Sequence, residues 1–217
     1  MNALWWPAPL RSRLLSDEYW HMQFLISDAN LPATLTASPM TDEEFTAFCS
    51  EHPDFNFEMT AEGEIIVMAA SHSFASVCQA DVGGQLYQWA KIGRSGYVCD
   101  SSGGFVLPNG ARRSPDASWT LKSRVVIHEG FWHLCPDFVI EIKSSSDRLG
   151  TLRSKMREYL DNGAQLGWLI DPERRLVEIY RPGGEVESHT GIAQITGEGP
   201  VAGFVLDLTY VWDPLAD

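Results

Sequence analysis

The sequence has few positive charges, no closely spaced cysteines and no long apolar run. It contains 16 Lys and Arg against 29 Asp and Glu, which gives a formal net charge of −13. Its four cysteines include no Cys-x-x-Cys pair, which argues against zinc or redox motifs and favours four buried thiols in a reducing cytoplasm. No segment approaches the roughly 20 apolar residues that cross a bilayer, and no basic start precedes an apolar core. We therefore expect a cytoplasmic protein without a membrane span.

The acidic balance also limits how strongly the chain can bind a polyanion. Nonspecific affinity for nucleic acid comes largely from Lys and Arg at phosphates. Much of the basic charge does cluster along the sequence, at Arg112, Arg113, Lys122, Arg124, Lys143, Arg148, Arg153, Lys155 and Arg157. A solvated helix face explains the last few of these equally well. Any binding to nucleic acid is therefore expected to be weak or assisted by a partner.

The length of 217 residues and the apolar content of 44% predict one globular domain with a substantial core. The patterns follow the order helix, strands, helix, strands, which favours an α/β fold with a mixed central β-sheet flanked by helices. We assign residues 40–217 to this domain. Residues 1–39, which contain Trp5-Trp6-Pro7 and end in a linker-like stretch, predict a loosely packed N-terminal extension.

Local patterns predict two helices in the N-terminal half of the domain. Thr41 and Glu44 form a capping box, which opens a helix to about Cys49. A longer helix runs from Ser71 or Ser73 to about Ile92. Its apolar residues recur at helical spacing and are expected in the core: Phe74, Val77, Cys78, Val82, Leu86 and Trp89. Gly83-Gly84 weakens this helix, which indicates close packing there.

Three further patterns lie in the C-terminal half. Asp147 is placed to cap a helix that ends at about Asn162, with Gly163 as its stop signal. Lys155 falls away from the centre of the apolar stripe of that helix. Residues 204–212 are expected to form one or two strands.

The most informative segment is the strand predicted over residues 137–143. Side chains alternate along a strand, so Asp137, Glu141 and Lys143 share one face. The apolar residues of the other face are Phe138, Ile140 and Ile142. A carboxylate and a lysine on such a core-like strand are costly unless they are paired or metal-bound, so they indicate a functional site.

Metal-assisted phosphodiester hydrolysis fits these residue types. Mg²⁺ usually takes one or two carboxylates together with water and phosphate oxygens. Asp137 lies four residues before Glu141 on one strand, roughly 13 Å away, which is too far to share an ion. Asp116 has enough intervening chain to lie on the neighbouring strand, where opposed Cβ atoms are about 5 Å apart. We predict Asp116 and Glu141 as ligands of Mg²⁺, with the Ile142 carbonyl as a third candidate and Mn²⁺ as a substitute ion.

Pro115-Asp116 followed by Glu141-x-Lys143 resembles the signature of the PD-(D/E)XK, or restriction-endonuclease-like, nucleases. More of the chain is similar to one branch, the Uma2 (Uma-two) family of endonuclease-like proteins. The similar stretches run in order from residue 40 to about residue 182: Met40-Thr-Asp-Glu-Glu-Phe45, Phe57-Glu-Met59 with Gly63-Glu64, Ser71-His72, Ser144-Ser-Ser-Asp147, Lys155 with Tyr159-Leu160, Gly163, and Trp168-Leu-Ile-Asp171-Pro172. The short signature is weak alone, whereas the ordered series is much more specific.

The resemblance implies a restriction-endonuclease-like fold, Mg²⁺-dependent endonuclease activity on DNA, and a homodimer. Family members often take their catalytic lysine from the following helix, so Lys143 and Lys155 both remain candidates. Glu58 matches a recurrent acidic position and is a third candidate catalytic carboxylate. His72 is a capping or surface histidine in the simpler interpretation and a contact to phosphate or to the water shell of the metal in the other.

Three functions are compatible with these residues. In the first, Asp116 and Glu141 hold the ion for DNA hydrolysis, while Lys143 or Lys155 orients the nucleophile or neutralises the transition state. The rival is a catalytically silent nuclease-like domain that acts as a structural or interaction module, which the charge of −13 favours. The third, a two-carboxylate glycosidase, has no use for a lysine beside the catalytic glutamate.

Overall fold

The computed structural model describes residues 33–36, 40–53, 55–68, 73–127 and 130–214. Its helices are α1 (Asp42–Glu51), α2 (Ser73–Gly93), α3 (Leu149–Asp161) and α4 (Thr209–Trp212). The strands are β1 (Ala33–Thr36), β2 (Asn56–Met59), β3 (Glu64–Met68), β4 (Gly96–Asp100), β5 (Phe105–Val106), β6 (Arg112–Arg113), β7 (Ala117–Leu121), β8 (Phe138–Ile142), β9 (Leu166–Asp171), β10 (Leu176–Tyr180), β11 (Glu187–Thr190), β12 (Gln194–Thr196) and β13 (Val205–Asp207). Short 3₁₀ turns follow β7 and β12, at Lys122–Arg124 and Gly199–Val201.

A six-stranded mixed sheet organises the domain, in the order β11-β10-β9-β8-β7-β4. Strands β8 and β9 are parallel, and the other neighbouring pairs of this sheet are antiparallel. Helix α2 packs on one face, where it contacts β4, β7 and β8, while α3 contacts β8, β9 and β10. The α3 connection between the two parallel strands places a helix face over the centre of the sheet, as parallel pairing requires.

The predicted alternation along β8 is confirmed. The apolar side chains of one face, Phe138, Ile140 and Ile142, belong to the core cluster that α2 covers. Val139 lies in the second core cluster, together with Leu152, Met156 and Tyr159 of α3. Glu141 lies on the same face as Val139, so its carboxylate is directed towards α3.

A second, five-stranded antiparallel sheet has the order β1-β3-β2-β6-β5. Its strand β6 precedes Asp116 closely in sequence, and β2 pairs with β6. Strand β1 at Ala33–Thr36 pairs with Glu64–Val67, although sequence patterns predict a linker there. The alternating Thr and Leu of this stretch meet an open edge of β3, whose free backbone groups accept a partner strand. The other residues of the predicted extension lie outside the described ranges.

Helix α1 confirms its capping box, because Thr41 accepts a hydrogen bond from Glu44 N at 3.2 Å and Glu44 accepts one from Thr41 N at 2.8 Å. The apolar stripe predicted for α2 is partly wrong. The buried residues of α2 are Ala75, Cys78, Val82, Leu86 and Ala90, whereas Phe74 and Val77 are 48% and 38% exposed. Phe74 and Val77 are rotated away from the helix face that contacts the sheet, because successive residues of an α-helix are rotated by about 100°.

Of the C-terminal predictions, the cap of α3 is wrong, and the strands expected within residues 204–212 are confirmed in part. Asp147 does not cap α3, because its carboxylate accepts hydrogen bonds from the backbone and hydroxyl of Ser144 at 2.8 and 2.6 Å. Gly163 does end the helix, with a φ of +107°. Only Val205–Asp207 of residues 204–212 forms a strand, and Thr209–Trp212 is helical. Asp207 starts that helical turn by accepting hydrogen bonds from the backbone and hydroxyl of Thr209.

The cysteines are unpaired, as predicted, but only Cys78 and Cys135 are fully buried; Cys49 and Cys99 are partly exposed. Among the described residues, no helix is long and apolar enough to cross a membrane.

The close packing predicted at Gly83-Gly84 is wrong, because a Cβ atom added at either position meets nothing within 4 Å. Both glycines lie inside α2 with room for a side chain, so they weaken the helix without a packing benefit. We expect Gly83→Ala and Gly84→Ala each to raise the free energy of unfolding by about 0.5–1 kcal/mol in urea titrations. Gly96→Ala is the matched control. A Cβ there would lie 2.5 Å from the carbonyl oxygen of Thr120, so it should destabilise the protein, and destabilisation by the α2 variants would contradict the prediction.

Candidate active site

The antiparallel pairing of β7 with β8 brings Asp116 and Glu141 together. Ala117 pairs with Ile140, so the same register, continued by one residue, places Asp116 opposite Glu141. The Ile142 N–H donates a hydrogen bond to Oδ2 of Asp116 at 2.7 Å. The two carboxylates line one cavity of about 250 Å³, which Ile142 also lines. The structure thus brings together the three residues predicted as metal ligands.

Asp116 is held by one partner on each carboxylate oxygen. Besides the backbone of Ile142, Nε2 of Gln79 on α2 donates a hydrogen bond to Oδ1 at 2.6 Å. Burial raises the pKa of Asp116 to about 6, although the Ile142 hydrogen bond and Lys155 oppose the change. The raised pKa means that ionising this carboxyl is unfavourable without a nearby cation.

Glu141 is 3% exposed and contacts α3 through a single carboxylate oxygen. The hydroxyl of Tyr159 donates a hydrogen bond to Oε1 at 3.0 Å, and Nζ of Lys155 lies 2.9 Å from the same atom. Burial raises the pKa of Glu141 to about 8, and the carboxylates of Asp116 and Glu58 add to the rise, against the effect of Lys155. Both of these contacts are made to Oε1 rather than to Oε2.

Lys155 occupies the centre of the site. Its Nζ lies 2.8 Å from Oε1 of Glu58 and 2.9 Å from Oε1 of Glu141, and its side chain is 9% exposed. Lys155 and Tyr159 are four residues apart on α3, so both extend from one helix face. Burial opposes the charge, but the two glutamates outweigh it and raise the pKa of Lys155. The lysine therefore stays protonated at any physiological pH.

Glu58 connects the site to a series of ion pairs in which negative and positive side chains alternate. Its Oε1 accepts a hydrogen bond from Ser114 N at 2.9 Å, and its Oε2 accepts one from Nη1 of Arg113 at 3.2 Å. Arg113 in turn contacts Glu158 of α3 at 2.6 Å. Burial acts to raise the pKa of Glu58, but Lys155 and Arg113 outweigh it, and the pKa is lowered. Glu58 is thus an ionised carboxylate whose oxygens are used to hold Lys155.

The structure does not bring Lys143 to this cluster. Its Nζ donates to the carbonyl of Ser144 at 3.0 Å and contacts the exposed Glu173 at 3.2 Å. Asp137 is also separate, as predicted, because its carboxylate binds Arg124, Gln165 and the backbone of Leu121. His72 lies outside the described residues.

Three contributors were missed at the sequence level: Gln79, Arg113 as an ion-pair partner, and the hydroxyl of Tyr159. Tyr159 is fully buried in the apolar stripe of its helix. Its spacing of four residues from Lys155 was the available signal, since a buried tyrosine hydroxyl needs a partner. Gln79 and Arg113 have no comparable local signal. The partner of Gln79 lies 37 residues away in sequence, and the two partners of Arg113 lie 45 and 55 residues away.

The donor set fits Mg²⁺. Within the described ranges, no three His, Cys, Asp or Glu side chains form a metal-binding group by themselves. Mg²⁺ does not require one, because it commonly uses one or two carboxylates and keeps several waters. Two buried carboxyls with raised pKa values, Asp116 and Glu141, provide such ligands. A divalent cation would offset the cost of ionising both.

The same carboxyls predict how stability depends on pH. In EDTA, the melting temperature should fall as the pH rises from about 5 to about 8. An unfolded chain releases the Glu141 proton near its ordinary pKa of 4.5, whereas the folded protein keeps it to about 8, so rising pH favours the unfolded state across this window. The Glu141→Gln variant should show a flatter profile, and Mg²⁺ should reduce the wild-type loss. Equal slopes for the two proteins in EDTA would contradict this prediction.

Comparison with known proteins places this geometry in a family context. The family model Uma2, described as "Putative restriction endonuclease", matches residues 42–209. A solved structure from Anabaena variabilis, described as a "putative nuclease belonging to DUF820", aligns with a TM-score of 0.70 at 24% sequence identity. The alignment covers 82% of this chain and 100% of that one. No curated protein matches. The structural likeness confirms the predicted α/β fold, and the family match supports the predicted resemblance.

Proposed function

This chain belongs to the Uma2 family of restriction-endonuclease-like proteins, and we propose that it is an Mg²⁺-dependent endonuclease that hydrolyses DNA phosphodiester bonds. The observation that carries the proposal is the position of Lys155 beside the Asp116–Glu141 pair. Two carboxylates for a cation and one protonated lysine, all lining one cavity, are the groups that phosphodiester hydrolysis needs.

Each residue has a distinct role in this proposal. Asp116 and Glu141 would hold the ion, with the Ile142 carbonyl as a further ligand. When bound, Mg²⁺ supplies a Lewis acid for a phosphate oxygen and lowers the pKa of a bound water. Lys155 offsets the negative charge that builds on the phosphate, or orients the attacking water. Tyr159 donates a hydrogen bond to Oε1 of Glu141, so Oε2 is the oxygen that would bind the ion.

Glu58 acts as a positioning residue rather than as a third metal ligand. Its oxygens already bind Lys155, Arg113 and the backbone of Ser114. These contacts keep Lys155 beside Glu141 when the cation takes over part of the Glu141 charge. Arg113 holds Glu58 ionised, so the lysine keeps a counter-ion throughout.

The silent-module alternative is favoured by the net charge of −13 and by the carboxylate-rich cavity. Both features oppose a polyanionic ligand unless a cation is bound. Under the nuclease proposal, Mg²⁺ must therefore bind before or with DNA, whereas a silent scaffold needs no cation site. A cytoplasmic location and a homodimer remain predictions.

Cleavage of supercoiled plasmid and labelled oligonucleotides, with Mg²⁺, Mn²⁺ or EDTA at low salt, tests the proposal. We expect cutting with either metal and none in EDTA. Asp116→Ala, purified in parallel, separates the activity of this chain from a contaminating nuclease. Calorimetric titration with Mg²⁺ separates the two functions further. Absence of both cutting and Mg²⁺ binding in the wild type would leave the silent module as the function.

A further inference from the structure

The cavity that holds the carboxylates also has an apolar wall, which the proposed chemistry does not use. Six residues form this wall: Cys49, Phe55, Phe57, Met68, Phe131 and Leu152. Phe57 is almost fully buried, whereas Phe55 and Phe131 are partly exposed. Two aromatic rings are therefore accessible in the same cavity as Asp116 and Glu141.

The ring of Phe131 is held in place by the residues that surround it. Its centroid lies 5.7 Å from that of Phe45 on α1. Gly104 faces the same ring, and a Cβ atom added there would lie 2.0 Å from Cε1 of Phe131. The ring therefore occupies the space that a side chain at residue 104 would need. Phe55 is supported similarly, with its ring centroid 6.1 Å from that of Phe57.

The shape of the cavity favours an unpaired nucleotide. Glu58 and Glu141 are 4% and 3% exposed, so the charged end of the site is recessed. A volume of about 250 Å³ accommodates one nucleotide but not a duplex. In a duplex the base faces are stacked on each other, so only an unpaired base can offer its face to a protein ring.

The rim of the cavity suits binding that does not depend on sequence. Four of the serines that line the cavity are Ser101, Ser102, Ser144 and Ser146. The hydroxyls of Ser102 and Ser144 already donate to Asp100 and Asp147, but their lone pairs can accept from an N–H group, which every base carries. Stacking is equally tolerant, because every base has a π-face.

We propose that this cavity binds an unpaired nucleotide, with its base stacked on Phe131 and Phe55, and that single-stranded or frayed DNA is therefore the preferred substrate. The inference rests on the proposed function for its chemistry, because it places the phosphate of that nucleotide at the Asp116–Glu141 end. The aromatic wall then supplies affinity that does not depend on basic residues, which suits a chain of charge −13.

Binding is measured first, separately from cleavage, by fluorescence anisotropy in EDTA and again with Ca²⁺. The three probes are labelled oligothymidylate, a strand of equal length built from abasic units, and a mixed-sequence duplex of that length. We expect oligothymidylate to bind about tenfold more tightly than the abasic strand, because stacking contributes roughly that much per base. The duplex should bind more weakly than oligothymidylate.

Variants of Phe131 then test whether its ring causes the preference for oligothymidylate over the abasic strand. Phe131→Leu keeps the apolar volume but removes the π-face, and should reduce the difference between oligothymidylate and the abasic strand to less than about threefold. Phe131→Trp should retain it. Tyr210→Leu is the control, because Tyr210 is a 47% exposed aromatic residue that does not line the cavity. Thermal unfolding shows whether the Phe131 variants remain folded, and the Trp variant tests the ring even if the Leu variant does not fold.

The outcomes separate this inference from the proposed function. Metal-dependent cleavage without discrimination between the base-bearing and abasic strands would overturn the inference and leave the nuclease intact. Discrimination that depends on Phe131, without cleavage in any metal, would support the nucleotide site and overturn the nuclease. No measurable binding of either strand at low salt would overturn the inference, as would preferential binding of the duplex.

Discussion

Replacing Asp116 with alanine is expected to lower the rate of metal-dependent DNA cleavage by roughly a thousandfold or more. The change removes one of the two carboxylates that are proposed to hold the cation, and it leaves only Glu141. Cleavage rates at saturating Mg²⁺ measure the effect. Titration calorimetry should show weaker Mg²⁺ binding in the variant.

Asp116→Asn is the fold-preserving counterpart of this change. Its amide oxygen can still accept the Ile142 N–H bond, which the wild-type carboxylate accepts at 2.7 Å. Gln79 can turn its amide so that its oxygen accepts from the new NH₂ group. Burial raises the pKa of Asp116 to about 6, so loss of the charge should not lower the melting temperature. A variant that is folded and cleaves as fast as the wild type would remove Asp116 from the mechanism.

Lys155→Met is expected to reduce cleavage by about a hundredfold to a thousandfold, whereas Lys143→Met should change it by less than about threefold. Lys155 lies between two buried glutamates, while Lys143 contacts Glu173, which is 61% exposed. The pair of variants tests which lysine acts, and initial rates at saturating metal provide the measurement. A larger loss in the Lys143 variant would reverse the assignment.

Lys155→Met also removes a cation that lies between two buried carboxylates, and breaking a buried ion pair typically costs about 3–5 kcal/mol. A loss of activity could therefore reflect unfolding alone. The double variant Lys155→Met with Glu58→Gln separates the two effects, because it removes one buried glutamate charge together with Lys155 and leaves Arg113 paired with Glu158. We expect the double variant to regain much of the melting temperature but none of the activity. Recovery of cleavage in the double variant would show that Lys155 is structural only.

The proximity of Asp116 and Glu141 could be predicted from the sequence because strands impose simple geometry. Alternation placed Glu141 on the opposite face from Ile140 and Ile142, and chain length placed Asp116 on a neighbouring strand. The observed pairing of Ala117 with Ile140 agrees with both. The choice between Lys143 and Lys155 could not be made in the same way. Both sequence positions allow a side chain near Glu141, and only the packing of α3 against β8 distinguishes them.

The errors arise where tertiary contacts override a local pattern. Asp147 has the side chain and position of a helix cap, but the hydroxyl and backbone of Ser144 bind its carboxylate. Phe74 has an apolar side chain at nearly the correct spacing, yet the helix turns it away from the sheet. The strand at Ala33–Thr36 depends on the open edge of β3, which no pattern within residues 33–36 reveals.

The parallel pairing of β8 with β9 has a consequence for the order of assembly. This pairing closes a loop of residues 143–165, and the entropy lost on closure is recovered only when α3 packs on the sheet. Lys155 belongs to that loop, whereas Asp116 and Glu141 are brought together by the β7–β8 hairpin. The folding step that closes this loop is therefore also the step that brings the positive charge of Lys155 to the two carboxylates. A partly folded chain that has not closed the loop would have the two carboxyls without Lys155. A divalent cation could then bind to the carboxyls before α3 packs on the sheet.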